Sequence, residues 1–254
     1  MATDGLIRSS VAGGVGQIRL ADPAHRNALS KRLSDELAAA VHWTLDHDAR
    51  AIVLSAEPPV FCAGGSLDGL INPEGPLSET YKGFLALAAA PVPTIAAVAG
   101  PAIGAGVNLP LACDVIVVSS GATFDPRFLD VGIHPGGGHL WRLARRIGVQ
   151  GVNALVLCGD VLTGPEAVEY GLAWRCVPDG EVEELAMRYA ERAAGRSVEL
   201  VRRTKKSIAA TVGLADVEEA MEIELAAQQW SMEQPDFTAT VRRLGERLAT
   251  SRRR

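Results

Sequence analysis

Aromatic side chains are scarce: Trp, Tyr and Phe together make up 5% of the 254 residues. Aliphatic and small side chains must therefore fill the core, and 26 glycines imply that backbones approach one another closely somewhere in the fold. Cysteine is equally sparse. Cys62, Cys113, Cys158 and Cys176 have the spacing of neither a zinc ribbon nor a CxxC redox pair. Most have apolar neighbours, so buried free thiols in a reducing, cytoplasmic compartment are expected. Positive charge is in deficit: 25 Lys and Arg against 30 Asp and Glu leave a net charge of −5. That excludes a general electrostatic nucleic-acid binder. The one basic run, Arg252, Arg253 and Arg254, reads as a solvated tail. An unbroken apolar run of membrane-spanning length is missing too. The longest uncharged stretch, Gly83 to Cys113, is interrupted by Pro91, Pro93, Pro101 and Pro110. Asp4 and Arg8, set among glycines, do not read as a signal peptide, so no membrane insertion is expected.

What is present is 48% hydrophobic, and 254 residues allow one large domain, or one domain plus a small appendage. Residues 5–20 alternate as two short strands around Gly13-Gly14. Ser30 can cap a helix carrying Leu33, Leu37 and Val41 on one face. The segments 51–55, 93–99 and 115–119 read as buried strands, with a helix over 81–90 stopped by Pro91. The segment HPGGGHLWRLARRIG enters a helix with Leu140, Leu143, Ala144 and Ile147 inward. Thr163 and Glu166 have the spacing of a capping box. This βα alternation requires a layered α/β architecture. From Val182 onward the pattern is helical, over roughly 181–193, 198–209 and 214–229. The change places a boundary after residue 195, with 196–254 expected to pack on the core and on neighbouring subunits.

Two glycine turns, FCAGGSL (61–67) and GPAIGAGVNL (100–109), each follow an apolar strand. Neither is a GxGxxG or Walker A loop. The second runs straight into helix, where unpaired backbone N–H groups can face an anion or a polarised oxygen.

These turns, together with HRNALS, PTIAAVAGPAIGAGVNLPLACDV, VGIHPGGG, LTGPEAVEYGLAWRCV and TKKSI, resemble the enoyl-CoA hydratase/isomerase (crotonase) family over nearly the whole chain. The resemblance implies an α/β spiral of ββα units with a C-terminal helical segment. It also implies assembly as a homotrimer or hexamer, and lyase or isomerase chemistry on an acyl-CoA thioester in lipid metabolism, with no metal and no cofactor beyond substrate coenzyme A. The backbone N–H groups of Gly65 and Ala105 would form the oxyanion hole. His25, Arg26, Ala28, Ala63, Gly65, Ser66 and Leu67 would contact coenzyme A, with Lys205 or Lys206 reaching a phosphate.

The chain departs from the family where the hydratases place two glutamates. The first position holds Asn108 and the second Phe128, or Arg127 in a register slipped by one. Neither an amide nor a phenyl ring takes up a proton near pH 7, and arginine stays protonated. Asp68, Asp125, Asp130 and His134 are the replacement candidates. The reading is a nominal enoyl-CoA hydratase with little hydration activity. Malonyl-type acyl-CoA decarboxylation, which makes an enolate without removing a proton, is one alternative. Non-catalytic acyl-CoA binding is another.

Overall fold

A computed structural model describes residues 5–251, and side chains up to residue 247. The Arg252–Arg254 run and Asp4 lie outside the described residues. The chain divides into two compact units, one ending at Arg196 and the other beginning at Ser197.

In the first unit, β1 (Ile7–Ala12) and β2 (Val15–Leu20) form an antiparallel hairpin. Ser30 caps α1 (Lys31–Asp46), its hydroxyl accepting from the Leu33 N–H at 3.1 Å. There follow β3 (Ala51–Ala56), α2 (Leu67–Ile71), α3 (Lys82–Ala89), β4 (Thr94–Val98), β5 (Ala102–Ile103), α4 (Asn108–Ala112) and β6 (Val115–Ser119). The unit closes with β7 (Thr123–Asp125), α5 (His139–Val152), β8 (Leu162–Thr163), α6 (Gly164–Glu169), β9 (Arg175–Val177) and α7 (Val182–Ala194). Six strands form one sheet in the order β1-β2-β3-β4-β6-β9, parallel after the first hairpin. Three more, β5-β7-β8, form a small second sheet. The result is an α/β spiral of ββα units.

Alternation along the parallel strands separates two cores. Ile52 and Leu54 of β3, Ala96 and Val98 of β4, and Ile116 and Val118 of β6 join Leu33, Leu37 and Phe84 in the larger one. Ala51, Val53, Ile95, Ala97 and Val117 point the other way, onto Val182, Ala186, Ala190 and Ala194 of α7. Those four recur every fourth residue, so one stripe of α7 faces the sheet, and three alanines let it lie close. With both faces covered, β3 and β4 are buried throughout and read as continuous apolar runs. The capping box at Thr163 and Glu166 is present at the start of α6.

The second unit consists of α8 (Val198–Thr211), α9 (Val217–Met232) and α10 (Pro235–Ser251). The last is a helix beyond those the sequence pattern had marked out. Arg203 of α8 lies over the Trp230 ring of α9, 3.9 Å from its centroid. Among the described residues no helix is long and apolar enough to cross a membrane. Cys62 and Cys113 are buried free thiols, but Cys158 is exposed and Cys176 only partly covered, correcting the expectation of general burial. Cys158 follows the π-helical turn Asn153–Leu157, which buries Leu155 and Val156 and turns Leu157 and Cys158 outward.

Candidate active site

The two glycine turns are hydrogen-bonded to one another and to the segment before α1. Cys62 and Ala102 form a parallel bridge: the Cys62 N–H donates to the Pro101 carbonyl at 3.2 Å, and the Ile103 N–H donates to the Cys62 carbonyl at 2.9 Å. Leu29 and Gly65 form a second. The Leu29 N–H donates to the Gly64 carbonyl at 2.7 Å, and the Ser66 N–H donates to the Leu29 carbonyl at 2.9 Å. Such a bridge uses the groups on either side of Gly65, so its own N–H points away from Leu29. Among the described residues that N–H makes no backbone hydrogen bond.

Gly64 sits at φ +97°, and a Cβ there would lie 2.8 Å from the Ile103 carbonyl oxygen and 3.6 Å from the Ala105 nitrogen. The first turn is thus pressed onto the start of the second. Gly106 is equally confined, because a Cβ there would lie 2.5 Å from the Cys62 carbonyl oxygen. Ala105 is the second residue of the 3-10 turn Gly104–Val107, whose leading N–H groups have no partner within the turn. Gly65 and Ala105 are both half-buried. Burial pushes the Cys62 thiol up to about 12, which keeps it protonated at rest.

The sequence matches the Enoyl-CoA hydratase/isomerase family model over residues 10–251. The chain belongs to this family. It is 38% identical over 239 residues to the Mycobacterium tuberculosis protein named probable enoyl-CoA hydratase EchA14, covering 91% of this chain and 93% of that one. A solved Bacillus anthracis enoyl-CoA hydratase superposes with a TM-score of 0.88 at 28% identity, covering 95% of this chain and 96% of that one. The Thermobifida fusca protein solved in complex with CoA superposes with a TM-score of 0.81 at 28% identity, covering 90% of this chain and 93% of that one.

In this crotonase-family chain Asn108 and Phe128 meet at His139, a residue that the sequence did not single out. Asn108, 1% exposed, opens α4. Its amide nitrogen donates to the Gly136 carbonyl at 3.3 Å, and its Oδ1 lies 3.0 Å from His139 Nδ1. Phe128 meets the His139 ring edge-on, with centroids 4.8 Å apart and planes at 64°. Arg127 is exposed and pairs with Asp125. Of the other acid–base candidates, Asp68 is exposed in α2 and accepts from the Asn72 amide at 2.9 Å. Asp130 is exposed, and the exposed His134 bonds the Pro135 carbonyl through Nδ1. No described hydrogen bond or ring contact joins these three to the Asn108–His139–Phe128 cluster.

The coenzyme A candidates of the first unit lie in and beside the first turn. His25 is exposed and bonded to Asp22, Arg26 is exposed, and Ala28 is half-buried. Asn27, between them, is fully buried. Its amide donates to the Glu57 and Val60 carbonyls at 2.9 and 3.0 Å and so ties this segment to the end of β3. The Ala63 N–H donates to the Arg26 carbonyl at 3.0 Å. Ala63 and Ser66 are half-buried, and Leu67 is exposed. Lys205 and Lys206 lie on α8 of the second unit, the former half-buried and the latter exposed.

Burial, reinforced by the Arg142 charge, lowers the His139 pKa from 6.5 to about 4. Between those values the unfolded chain binds a proton that the folded chain refuses, so stability rises with pH across that window and is lost on acidification. The difference is worth about 3 kcal/mol. Urea unfolding of the native protein is expected to show this loss between pH 7 and pH 4, and His139→Gln to show correspondingly less. Equal losses in the two proteins would contradict the assignment.

Proposed function

We propose that the protein binds an acyl thioester of coenzyme A and stabilises its enolate between the backbone N–H groups of Gly65 and Ala105. The observation that carries this reading is the Leu29–Gly65 bridge, which leaves the Gly65 N–H without a backbone partner among the described residues, on a turn pressed against Ala105. When a proton, a nucleophile or a carboxylate is exchanged near the α-carbon, negative charge collects on the thioester oxygen. A fixed donor at such an oxygen contributes about 2.7–4 kcal/mol to the transition state. Because both donors are main-chain atoms, alanine at position 105 preserves the hole. Family membership and the CoA-bound Thermobifida fusca relative support a thioester ligand.

The exposed guanidinium of Arg26 suits a coenzyme A phosphate, beside His25 and Ala28. Ala63, Ser66 and Leu67 border the pantetheine arm, and Lys205 or Lys206 supplies a further phosphate contact. On this reading residues 1–195 carry the acyl-CoA site, and 196–254 are a C-terminal helical segment in a homotrimer or hexamer located in the cytoplasm. The reaction is enoyl thioester hydration without carboxylate help at positions 108 and 128. One observation favours a second reaction: Asn108 and Phe128 are buried, and among the described residues no Asp or Glu is buried with them. A malonyl-type thioester brings its own carboxylate. Loss of CO₂ breaks the bond to Cα, leaves the electron pair there and generates the same enolate.

Calorimetric titration with crotonyl-, butyryl-, malonyl- and methylmalonyl-CoA tests the shared step. Saturable binding of at least one thioester, tighter than that of free coenzyme A, is expected. No binding of any of them would overturn the reading.

A further inference from the structure

His139 is a group for which the oxyanion hole has no use, and its surroundings are unusual. The residue is 1% exposed, at the first position of α5. The hydrogen bonds around it fix where its proton sits. The Asn108 amide nitrogen is committed to the Gly136 carbonyl, so the amide oxygen faces His139. That oxygen can only accept, so Nδ1 carries the hydrogen and Nε2 presents a bare lone pair. Nε2 is buried and, among the described residues, has no hydrogen-bond partner. A buried acceptor left without a donor is destabilising. Such an atom calls for a partner from outside the chain, which an ordered water, a ligand or a reacting group can supply.

We propose that His139 Nε2 is the proton acceptor of this site, and that its partner is an oxygen-bound proton: that of the water adding to a 2-enoyl thioester or, in reverse, that of the hydroxyl on C3 of a 3-hydroxyacyl thioester. This rests on the thioester reading above. Asn108 is then a positioning residue that holds the imidazole tautomer, as the third member of an oriented base pair does in hydrolases.

In the forward direction a water O–H bond breaks and its proton goes to Nε2 while the oxygen bonds to C3. The C2–C3 π pair moves toward C1, and the charge collects on the thioester oxygen at Gly65 and Ala105. The imidazolium then returns the proton to C2, giving the 3-hydroxyacyl thioester and the neutral ring. No other reactant is needed. Burial beside Phe128 and the charge of Arg142 keep the resting ring neutral, with a pKa of about 4. That is close to the ordinary value of a glutamate, about 4.3, so the imidazole is a base of similar strength.

Two measurements test the proposal. The first uses the native protein: ¹⁵N NMR of the His139 Nε2 resonance during titration with 3-hydroxybutyryl-CoA and with butyryl-CoA. The lone-pair resonance is expected to move on adding the hydroxylated ligand and to stay in place with the saturated one. The second compares native protein, His139→Gln and His139→Ala for crotonyl-CoA hydration and binding. Both variants are expected to bind crotonyl-CoA about as well as the native protein and to lose about 10²–10⁴-fold in kcat. Added imidazoles should restore turnover in His139→Ala in proportion to their basicity, which a packing role would not produce. An Nε2 resonance indifferent to the hydroxyl, a His139→Gln variant with native kcat, rescue independent of basicity, or a native protein that binds both thioesters and converts neither would each overturn the proposal. Failure of the underlying thioester reading looks different: the native protein would bind no acyl-CoA at all.

Discussion

Crotonyl-CoA hydration by the native protein is expected to run about 10²–10⁴-fold slower than by a family hydratase that carries both glutamates. Asn108 commits both ends of its amide, to Gly136 and to His139, and cannot take up a proton. Phe128, 7% exposed, offers only a ring edge. On the account given above, His139 is the remaining acceptor, and one group must then serve both proton transfers. Steady-state assays run side by side check this. A kcat equal to that of the two-glutamate enzyme would mean that the buried cluster is not the proton-handling part of the site. Glutamate at position 108 is not a simple restoration. Its longer side chain cannot donate to Gly136, and its charge beside His139 Nδ1 would favour the imidazolium and silence Nε2 as an acceptor.

Gly64→Val is expected to lower stability by about 2–5 kcal/mol and to abolish acyl-CoA binding. At φ +97° a β-branched side chain is strained whatever the space available. Here the space is also taken, since the new Cβ would lie 2.8 Å from the Ile103 carbonyl oxygen. Relief requires the first turn to lift off the second, which separates Gly65 from Ala105. Thermal unfolding and calorimetry with crotonyl-CoA are the checks. A variant that melts with the native protein and binds as tightly would show that contact between the turns is not what holds the site.

The parts of this structure that were legible in the sequence are those with local causes. The Ser30 cap, the Thr163–Glu166 box, and the alternation and continuous apolar runs of β1 to β4 each need only neighbouring residues to be read. The two glycine turns were legible for the same reason, as small residues after apolar strands. His139 was not. Its partner Asn108 lies 31 positions away, and within its own helix the apolar period points to Leu140, Leu143 and Ile147. A histidine opening a helix after three glycines looks solvated until the fold closes Phe128 over it. Asn27 was missed likewise, because the carbonyls it holds, Glu57 and Val60, belong to the far end of β3 and the loop beyond it. Helices α8 and α9 were legible as helices, but what covers their apolar positions was not: Val217, Met221 and Leu225 of α9 are all exposed. α10 begins with Pro235, a residue that opens helices as readily as it ends them.

Polarisation of a bound thioester by two backbone donors would show in the absorbance of 2,4-hexadienoyl-CoA during titration with the native protein. Donors at the carbonyl oxygen draw electron density along the conjugated chain. The bound ligand is therefore expected to absorb at longer wavelength than the free one, with the shift saturating in step with calorimetric binding and absent with Gly64→Val. A thioester that binds by calorimetry while keeping the spectrum it has in water would contradict the account.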